Sequence, residues 1–162
     1  MQTVPLLLPE QIACLEELSS RKRVFEKLAE LLTQQQPTLG IEEVLEALTN
    51  REKLGSTTLG NGIAIPHACL NIPTPLMALV VLEQGVKMDT PDKKPVQIFL
   101  AMIVPSQASD TYRSIISQLA SLLTQPSLIE NLPLGSKTSD ALLTYLNSAL
   151  QPLQSNNAML AA

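Results

Sequence analysis

Two uninterrupted apolar segments, residues 76–82 and 98–104, constrain the fold of this chain more than any other feature. A strand that faces water on one side alternates apolar and polar residues, whereas a strand covered on both sides is apolar throughout. The two segments therefore predict central strands of a sheet that is packed between two layers. The polar stretch between them, residues 85–95, carries prolines and predicts a turn.

Amphipathic helices are predicted around these strands, because apolar residues recur there at spacings of three and four. Ser20 is the expected N-cap of the first. Residues 13–18 favour a first strand, with a helix as the open alternative. The helices are predicted at residues 21–35, from residue 41, at 111–124 and at 139–150, with one short helical turn at 127–132. Helices that flank apolar strands imply an α/β sandwich.

The length of 162 residues predicts one domain, residues 11–150, between a flexible N-terminal segment, 1–10, and a flexible tail, 151–162. The net charge of −4 argues against a nucleic-acid partner. No apolar run is long enough to span a bilayer, and no signal sequence is evident, so a cytoplasmic location is expected. Cys14 and Cys69 match no metal or redox spacing, which predicts reduced thiols and no metal.

The chain has a single histidine, His67, at the end of the run GNGIAIPHA. Neutral imidazole titrates near physiological pH and can act as a nucleophile, so any histidine chemistry in this protein falls to His67. Ile63 to Ile65 predicts a short buried strand. Pro66 ends ladder hydrogen bonding, which predicts that His67 emerges at a strand end. A lone histidine is also often an ordinary surface or packing residue.

The segment of residues 51–68, REKLGSTTLGNGIAIPHA, resembles the active-site signature of enzyme IIA domains of the fructose–mannitol class. These domains belong to the bacterial phosphoenolpyruvate-dependent phosphotransferase system, and the resemblance is closest to the nitrogen-regulatory branch. Weaker similarity extends over residues 21–123. The resemblance implies a mixed sheet of about five strands flanked by helices.

The same resemblance implies that His67 accepts a phosphoryl group from an HPr-like phosphocarrier and that the phosphorylation state regulates target proteins. Such a protein is a phosphotransferase-type relay component without a cofactor, not a stand-alone turnover enzyme. A sugar-specific IIA component that passes phosphate to a separate IIB domain is the alternative within the family. A binding module that is not phosphorylated is the alternative of another class.

Arg51 is the first candidate partner of the phosphate, because a guanidinium binds phosphate oxygens bidentately. Alone, it would more simply be an exposed charge at a helix C-terminus, but an arginine at this place of the family motif helps to hold the active site. The hydroxyls of Ser56 and Thr57 are further candidates. The sequence leaves open which ring nitrogen of His67 is phosphorylated.

Gly60, Asn61 and Gly62 offer successive backbone amides, which can form an anion-binding nest. Their spacing matches neither a dinucleotide fingerprint nor a P-loop, so ATP is not the expected phosphoryl donor. Family members usually carry a second histidine where this chain has Tyr112, followed by Arg113. Tyr112 is therefore expected to hydrogen-bond to the phosphate, and Arg113 to add positive charge.

Overall fold

The computed structural model describes residues 7–127 and 139–154. Within these ranges there are four α-helices, here α1 (Arg21–Thr33), α2 (Ile41–Leu54), α3 (Ser109–Leu123) and α4 (Ser139–Leu150). The strands are β1 (Ile12–Leu15), β2 (Thr58–Gly60), β3 (Ile63–Ala64), β4 (His67–Leu70), β5 (Leu76–Val86) and β6 (Val96–Pro105). Each predicted helix is confirmed to within two residues at its ends where both ends were predicted.

The six strands form one mixed sheet in the order β1-β5-β6-β3-β2, and β4 pairs with β6 beside β3. The central pair, β5 and β6, is antiparallel, whereas β1 pairs with β5, and β3 and β4 pair with β6, in parallel. The predicted mixed α/β sheet is confirmed, with six strands where about five were expected. The extra strand arises because β3 and β4 lie along the same edge of β6 as two separate pieces.

Helices cover both faces of the sheet. One core contains side chains of α1, α2 and alternate residues of β5, such as Ala78 and Val80. The other contains side chains of α3, α4 and the intervening residues, such as Leu79 and Val81. Coverage of both faces explains why the central strands are apolar throughout.

Local signals in the sequence are reproduced at several element ends. The hydroxyl of Ser20 accepts a hydrogen bond from the Arg23 amide at 3.3 Å, which confirms the predicted N-cap. The open alternative for residues 13–18 is resolved, because Ile12–Leu15 is a strand. Most of the helical turn predicted at 127–132 lies outside the described residues.

The two ends of the described chain meet on α4. The Asn147 side chain accepts a hydrogen bond from the Leu7 amide at 3.0 Å and donates to the Leu7 carbonyl at 2.8 Å. Gln154 is buried and donates to the same side chain at 2.9 Å. Leu7 and Gln154, which fall in the segments predicted to be flexible, are thus packed. The division at residues 10 and 150 stays a prediction. No helix among the described residues has the length and apolar character needed to cross a membrane.

Candidate active site

The position of His67 is fixed by a break in the edge of the sheet. The Ile65 amide donates to the Thr57 carbonyl at 3.0 Å, and Pro66, which has no amide proton, follows. The Pro66 carbonyl accepts a hydrogen bond from Met102 at 2.9 Å, and pairing with β6 resumes at His67. The prediction that His67 lies at a strand end is confirmed, since it is the first residue of β4.

The imidazole of His67 is held by its own backbone. Its Nδ1 lies 2.8 Å from the Ile65 carbonyl oxygen, which can only accept, so Nδ1 carries the proton. The other nitrogen, Nε2, then has the free lone pair. Burial lowers the pKa of His67 below its ordinary value, and the Arg51 charge lowers it further, against opposing effects of the Ile65 bond and Glu52. The half-buried ring is therefore neutral at physiological pH.

His67 opens onto a cavity of about 810 Å³. The cavity lies at the edge of the sheet, with residues of α2 on one side, residues of α3 on the other and β4 between them. Arg51 and Arg113 both line it, and no described Asp or Glu does. The cavity therefore carries positive charge in a chain whose net charge is −4. Such a surface suits an anionic group such as a phosphoryl group.

Arg51 fits both interpretations of the sequence, since it is a cation at a helix C-terminus and it also lines the cavity onto which His67 opens. It lies in the last turn of α2, where its Nη1 donates to the Gly55 carbonyl at 2.9 Å, a favourable position for a cation. It also lines the cavity, and its charge acts on the His67 pKa. The helix end thus holds the guanidinium beside the imidazole.

Glu52 is a residue of the site that the sequence analysis missed. It is buried, and its carboxylate accepts hydrogen bonds from the Thr57 amide at 3.0 Å and the Thr57 hydroxyl at 2.6 Å. Its charge raises the pKa of His67. The only sequence signal was a carboxylate in the last turn of a helix, where the macrodipole disfavours it and a specific partner is needed.

The two candidate hydroxyls, those of Ser56 and Thr57, differ in their hydrogen-bond partners. Thr57 lines the cavity, but its hydroxyl is taken up by Glu52. Ser56 is exposed at the cavity and donates to the Asp89 carbonyl at 2.8 Å. Both side chains thereby anchor the segment between α2 and β2.

The turn predicted to offer an amide nest has its middle amide engaged from within the chain. Gly60, Asn61 and Gly62 have φ values of +87°, +56° and +80°. The Asn61 amide donates to the Asp92 carboxylate at 2.7 Å, and this bond is the main reason that the Asp92 pKa lies below its ordinary value. None of the three residues lines the cavity. The anion that this turn binds in the structure is Asp92.

The helix periodicity of α3 separates Tyr112 from Arg113. Tyr112 is buried in the core with Ile115 and Leu119, burial raises its pKa, and it does not line the cavity. Arg113 lies on the side of α3 that faces the cavity, and its guanidinium is 3.7 Å from the Asp110 carboxylate. The structure thus places the charge of Arg113, rather than the hydroxyl of Tyr112, on the cavity onto which His67 opens.

The described residues bring no three His, Cys, Asp or Glu side chains together as a metal site. The chemistry available at the cavity includes that of a neutral imidazole nucleophile, two guanidinium groups and several serine and threonine hydroxyls.

Comparison with known proteins places these features in a family. The family described as "Phosphoenolpyruvate-dependent sugar phosphotransferase system, EIIA 2" matches residues 5–149. The chain is 36% identical over 124 residues to the nitrogen regulatory protein of Pseudomonas aeruginosa, covering 76% of this chain and 80% of the relative. It is 33% identical over 144 residues to the nitrogen regulatory protein homolog of Haemophilus influenzae, covering 86% and 87%.

Solved structures show the same architecture. The nitrogen regulatory protein IIA-Ntr of Neisseria meningitidis superposes with a TM-score of 0.78 at 33% identity, over 87% of this chain and 96% of that one. The IIA mannitol protein of Escherichia coli superposes with a TM-score of 0.66 at 21% identity, over 85% and 97%. The second comparison carries the fold alone.

Proposed function

The chain belongs to the EIIA 2 family of the phosphoenolpyruvate-dependent sugar phosphotransferase system, and from this premise we propose that it is a regulatory phosphoacceptor. In this proposal His67 receives a phosphoryl group from an HPr-like phosphocarrier in the cytoplasm. Its phosphorylation state then determines which target proteins it binds. The nitrogen regulatory proteins among its relatives support the regulatory assignment.

The hydrogen bond from His67 Nδ1 to the Ile65 carbonyl carries the proposal. Because Nδ1 holds the proton, Nε2 is the nitrogen that attacks phosphorus. The new N–P bond forms at Nε2 while the N–P bond of the donor breaks, and the donor nitrogen keeps that electron pair. The Nδ1 proton stays in its bond to Ile65 and stabilises the positive charge that develops on the ring.

The residues around Nε2 have distinct proposed parts. Arg51 and Arg113 stabilise the charge of the phosphoryl group, and the Ser56 hydroxyl becomes a further donor only when it leaves the Asp89 carbonyl. Thr57, Gly60, Asn61 and Gly62 hold the segment that precedes β3 and make no contact with phosphate. Tyr112 supports α3 from the core.

Phosphorylation by a reconstituted relay tests the proposal. The protein is incubated with phosphoenolpyruvate, the first enzyme of the relay and a phosphocarrier, and the acid-labile phosphate is mapped by mass spectrometry. We expect one phosphoryl group on His67, and none in His67→Ala. Cys69→Ala, on the same strand, is the matched control. Phosphate on Ser56 or Thr57, or none on the wild type, contradicts the proposal; the second result would leave a binding module that is not phosphorylated.

A sugar-specific IIA component is the second candidate, since the fructose-specific EIIABC component of Bacillus subtilis is 26% identical over 148 residues, 23% of its length. The deciding comparison is a pull-down with wild type, His67→Ala and His67→Asp, beside a transfer assay with isolated IIB domains. A regulator retains a target in one phosphorylation state and releases it in the other. Fast transfer to one IIB domain, with no partner that depends on the state, would favour the sugar-specific component.

A further inference from the structure

The strand that carries His67 has one free edge. Its only strand partner among the described residues is β6, with His67 opposite Met102. The Met102 amide donates to the Pro66 carbonyl, so alternate residues of β4, beginning at Ala68, direct their backbone groups to β6. The amides and carbonyls of His67 and Cys69 therefore point away from the sheet. The residues that pair with the preceding strand, β3, and with Ile65 end at Thr57, whose carbonyl accepts a hydrogen bond from the Ile65 amide.

This free edge forms the floor of the cavity. Helix α2 covers one face of the sheet and α3 the other, and the edge lies between them. Helices α2 and α3 form the two walls of the cavity. Their small side chains, among them Ala47 and Ala120, leave it open as a slot. Leu54, which is 85% exposed, and Ile116 provide apolar surface on opposite walls. An unpaired strand edge in an accessible slot is a template for another strand.

The positive charge of the slot indicates which kind of strand can bind there. Arg51 and Arg113 line it, no described acidic residue does, and the nearby Asp110 forms an exposed ion pair of small energetic weight with Arg113. We infer that the slot binds an extended acidic segment of a partner protein, which adds to β4 as a strand beside His67. Backbone hydrogen bonds would supply affinity and alternate side chains the specificity.

Strand addition next to His67 makes binding sensitive to phosphorylation. A phosphoryl group adds roughly −1.5 to −2 charges at pH 7. Placed on Nε2, it would repel an acidic segment and compete with it for Arg51 and Arg113. This dependence on phosphorylation rests on the proposed function, whereas binding to the unphosphorylated protein does not.

A defined peptide tests the inference. The probe is fluorescein-labelled Val-Glu-Val-Glu-Val-Glu with a blocked C-terminus, and its counterpart has lysine in place of glutamate. Binding to the full chain is measured by fluorescence anisotropy, and amide exchange of His67 and Cys69 by NMR. The test variant is Cys69→Pro, which removes an outward amide without removing a bond to β6. Cys69→Ala, which keeps the amide, is the control.

We expect the glutamate peptide to bind wild type and Cys69→Ala, to bind Cys69→Pro at least tenfold more weakly, and to slow exchange of the Cys69 amide at least tenfold. The lysine peptide should bind at least tenfold more weakly than the glutamate peptide. No binding of the glutamate peptide, equal binding of the lysine peptide, or equal binding by Cys69→Pro overturns the inference. If Cys69→Pro does not fold, unchanged exchange of the Cys69 amide in the wild-type complex overturns it.

Self-association and phosphorylation are each tested by one further measurement. Sedimentation without peptide reports whether a second copy of the chain takes the edge, and a dimer that persists in Cys69→Ala but is lost in Cys69→Pro would replace the acidic partner. Phosphorylated wild type should bind the glutamate peptide at least tenfold more weakly than the unphosphorylated protein, and equal binding overturns the coupling. If the relay does not phosphorylate the wild type, the proposed function fails, while the peptide measurements still decide strand addition.

Discussion

The Nδ1 atom of His67 lies 2.8 Å from the carbonyl oxygen of Ile65, two residues earlier in the chain. The contact is possible because Pro66 interrupts the strand, so that the Ile65 carbonyl turns towards the ring instead of a neighbouring strand. The backbone thereby sets the tautomer without using another side chain. Reactivity is directed to Nε2 by local chain geometry, and the surrounding helices supply the charge.

The lowered pKa of His67 predicts how stability depends on pH. Its ordinary value is 6.5, and burial lowers the pKa in the folded state. The unfolded chain therefore binds a proton first as the pH falls, so the contribution of the neutral ring is present above pH 6.5 and is lost as the pH falls through the folded pKa. Urea unfolding of wild type and His67→Gln between pH 5 and 8 measures this. The unfolding free energy of the wild type relative to that of His67→Gln should be constant above about pH 7 and should decrease on acidification.

The opposite slope would contradict a lowered pKa. If the wild type gained stability relative to His67→Gln on acidification, the pKa of His67 would be raised in the folded state. The Ile65 bond and Glu52 would then outweigh burial and the Arg51 charge, and a larger fraction of the resting imidazole would be charged.

Arg51 is predicted to affect both the rate of phosphotransfer and the free energy of unfolding. Arg51→Lys keeps the charge but loses the bidentate fork, so phosphotransfer should slow by about ten- to a hundredfold, or about 1.4 to 2.8 kcal/mol. Loss of the bond to the Gly55 carbonyl should cost about 0.5–1.5 kcal/mol of unfolding free energy. Single-turnover transfer and urea unfolding measure the two effects.

The control for Arg51 is Lys53→Ala, since Lys53 is an exposed cation on the same helix turn. It should change neither the transfer rate nor the unfolding free energy by much. Unchanged transfer rates in both Arg51→Lys and Arg51→Ala would show that Arg51 acts only at the end of α2.

Most of the elements predicted correctly have a long apolar or periodic signal. Residues 76–82 and 98–104 are apolar throughout, and both cores show why. The short strand predicted at residues 63–65 is found as β3 (Ile63–Ala64), whereas β2 and β4, of three and four residues, were not predicted. Strands so short are defined by pairing with distant residues, as when His67 meets Met102. Periodicity within the segment cannot reveal such pairing.

In the candidate site, too, features with a local signal could be predicted, and contacts between distant residues could not. His67 and its place at a strand end followed from Pro66, a local signal. Glu52 was missed because its place in the last helical turn signals the need for a partner but does not identify Thr57 as that partner. Asp92 lies 31 residues from Asn61, so its bond to the Asn61 amide depends on the sheet. Tyr112 and Arg113 are adjacent in sequence but face different layers, which depends on the rotation of α3 about its axis.

Glu52 predicts coupled effects on stability and on His67. Glu52→Gln removes the charge, but its amide can still accept from the Thr57 amide and donate to the Thr57 hydroxyl, so the exchange of charge-assisted bonds for neutral ones should cost about 1 kcal/mol of unfolding free energy. Because the Glu52 charge raises the pKa of His67, its removal should also lower that pKa, as followed by NMR titration. Thr57→Val, which removes one donor but no charge, is the matched control for the pKa. An unchanged His67 pKa in Glu52→Gln would mean that the carboxylate acts only on the fold.

The turn at residues 60–62 predicts a change in stability without a change in phosphotransfer. Gly62 has a φ of +80°, a conformation that an L-residue adopts at a cost of about 1–2 kcal/mol, so Gly62→Ala should lower the unfolding free energy by about that amount. Gly55→Ala is the control, because its φ of 161° is extended and an added methyl group would meet nothing within 4 Å. Since Gly62 does not line the cavity, the amount of phosphate incorporated at His67 should match that of the wild type under folding conditions. A selective loss of phosphotransfer in folded Gly62→Ala would instead place the amides of this turn on the phosphate.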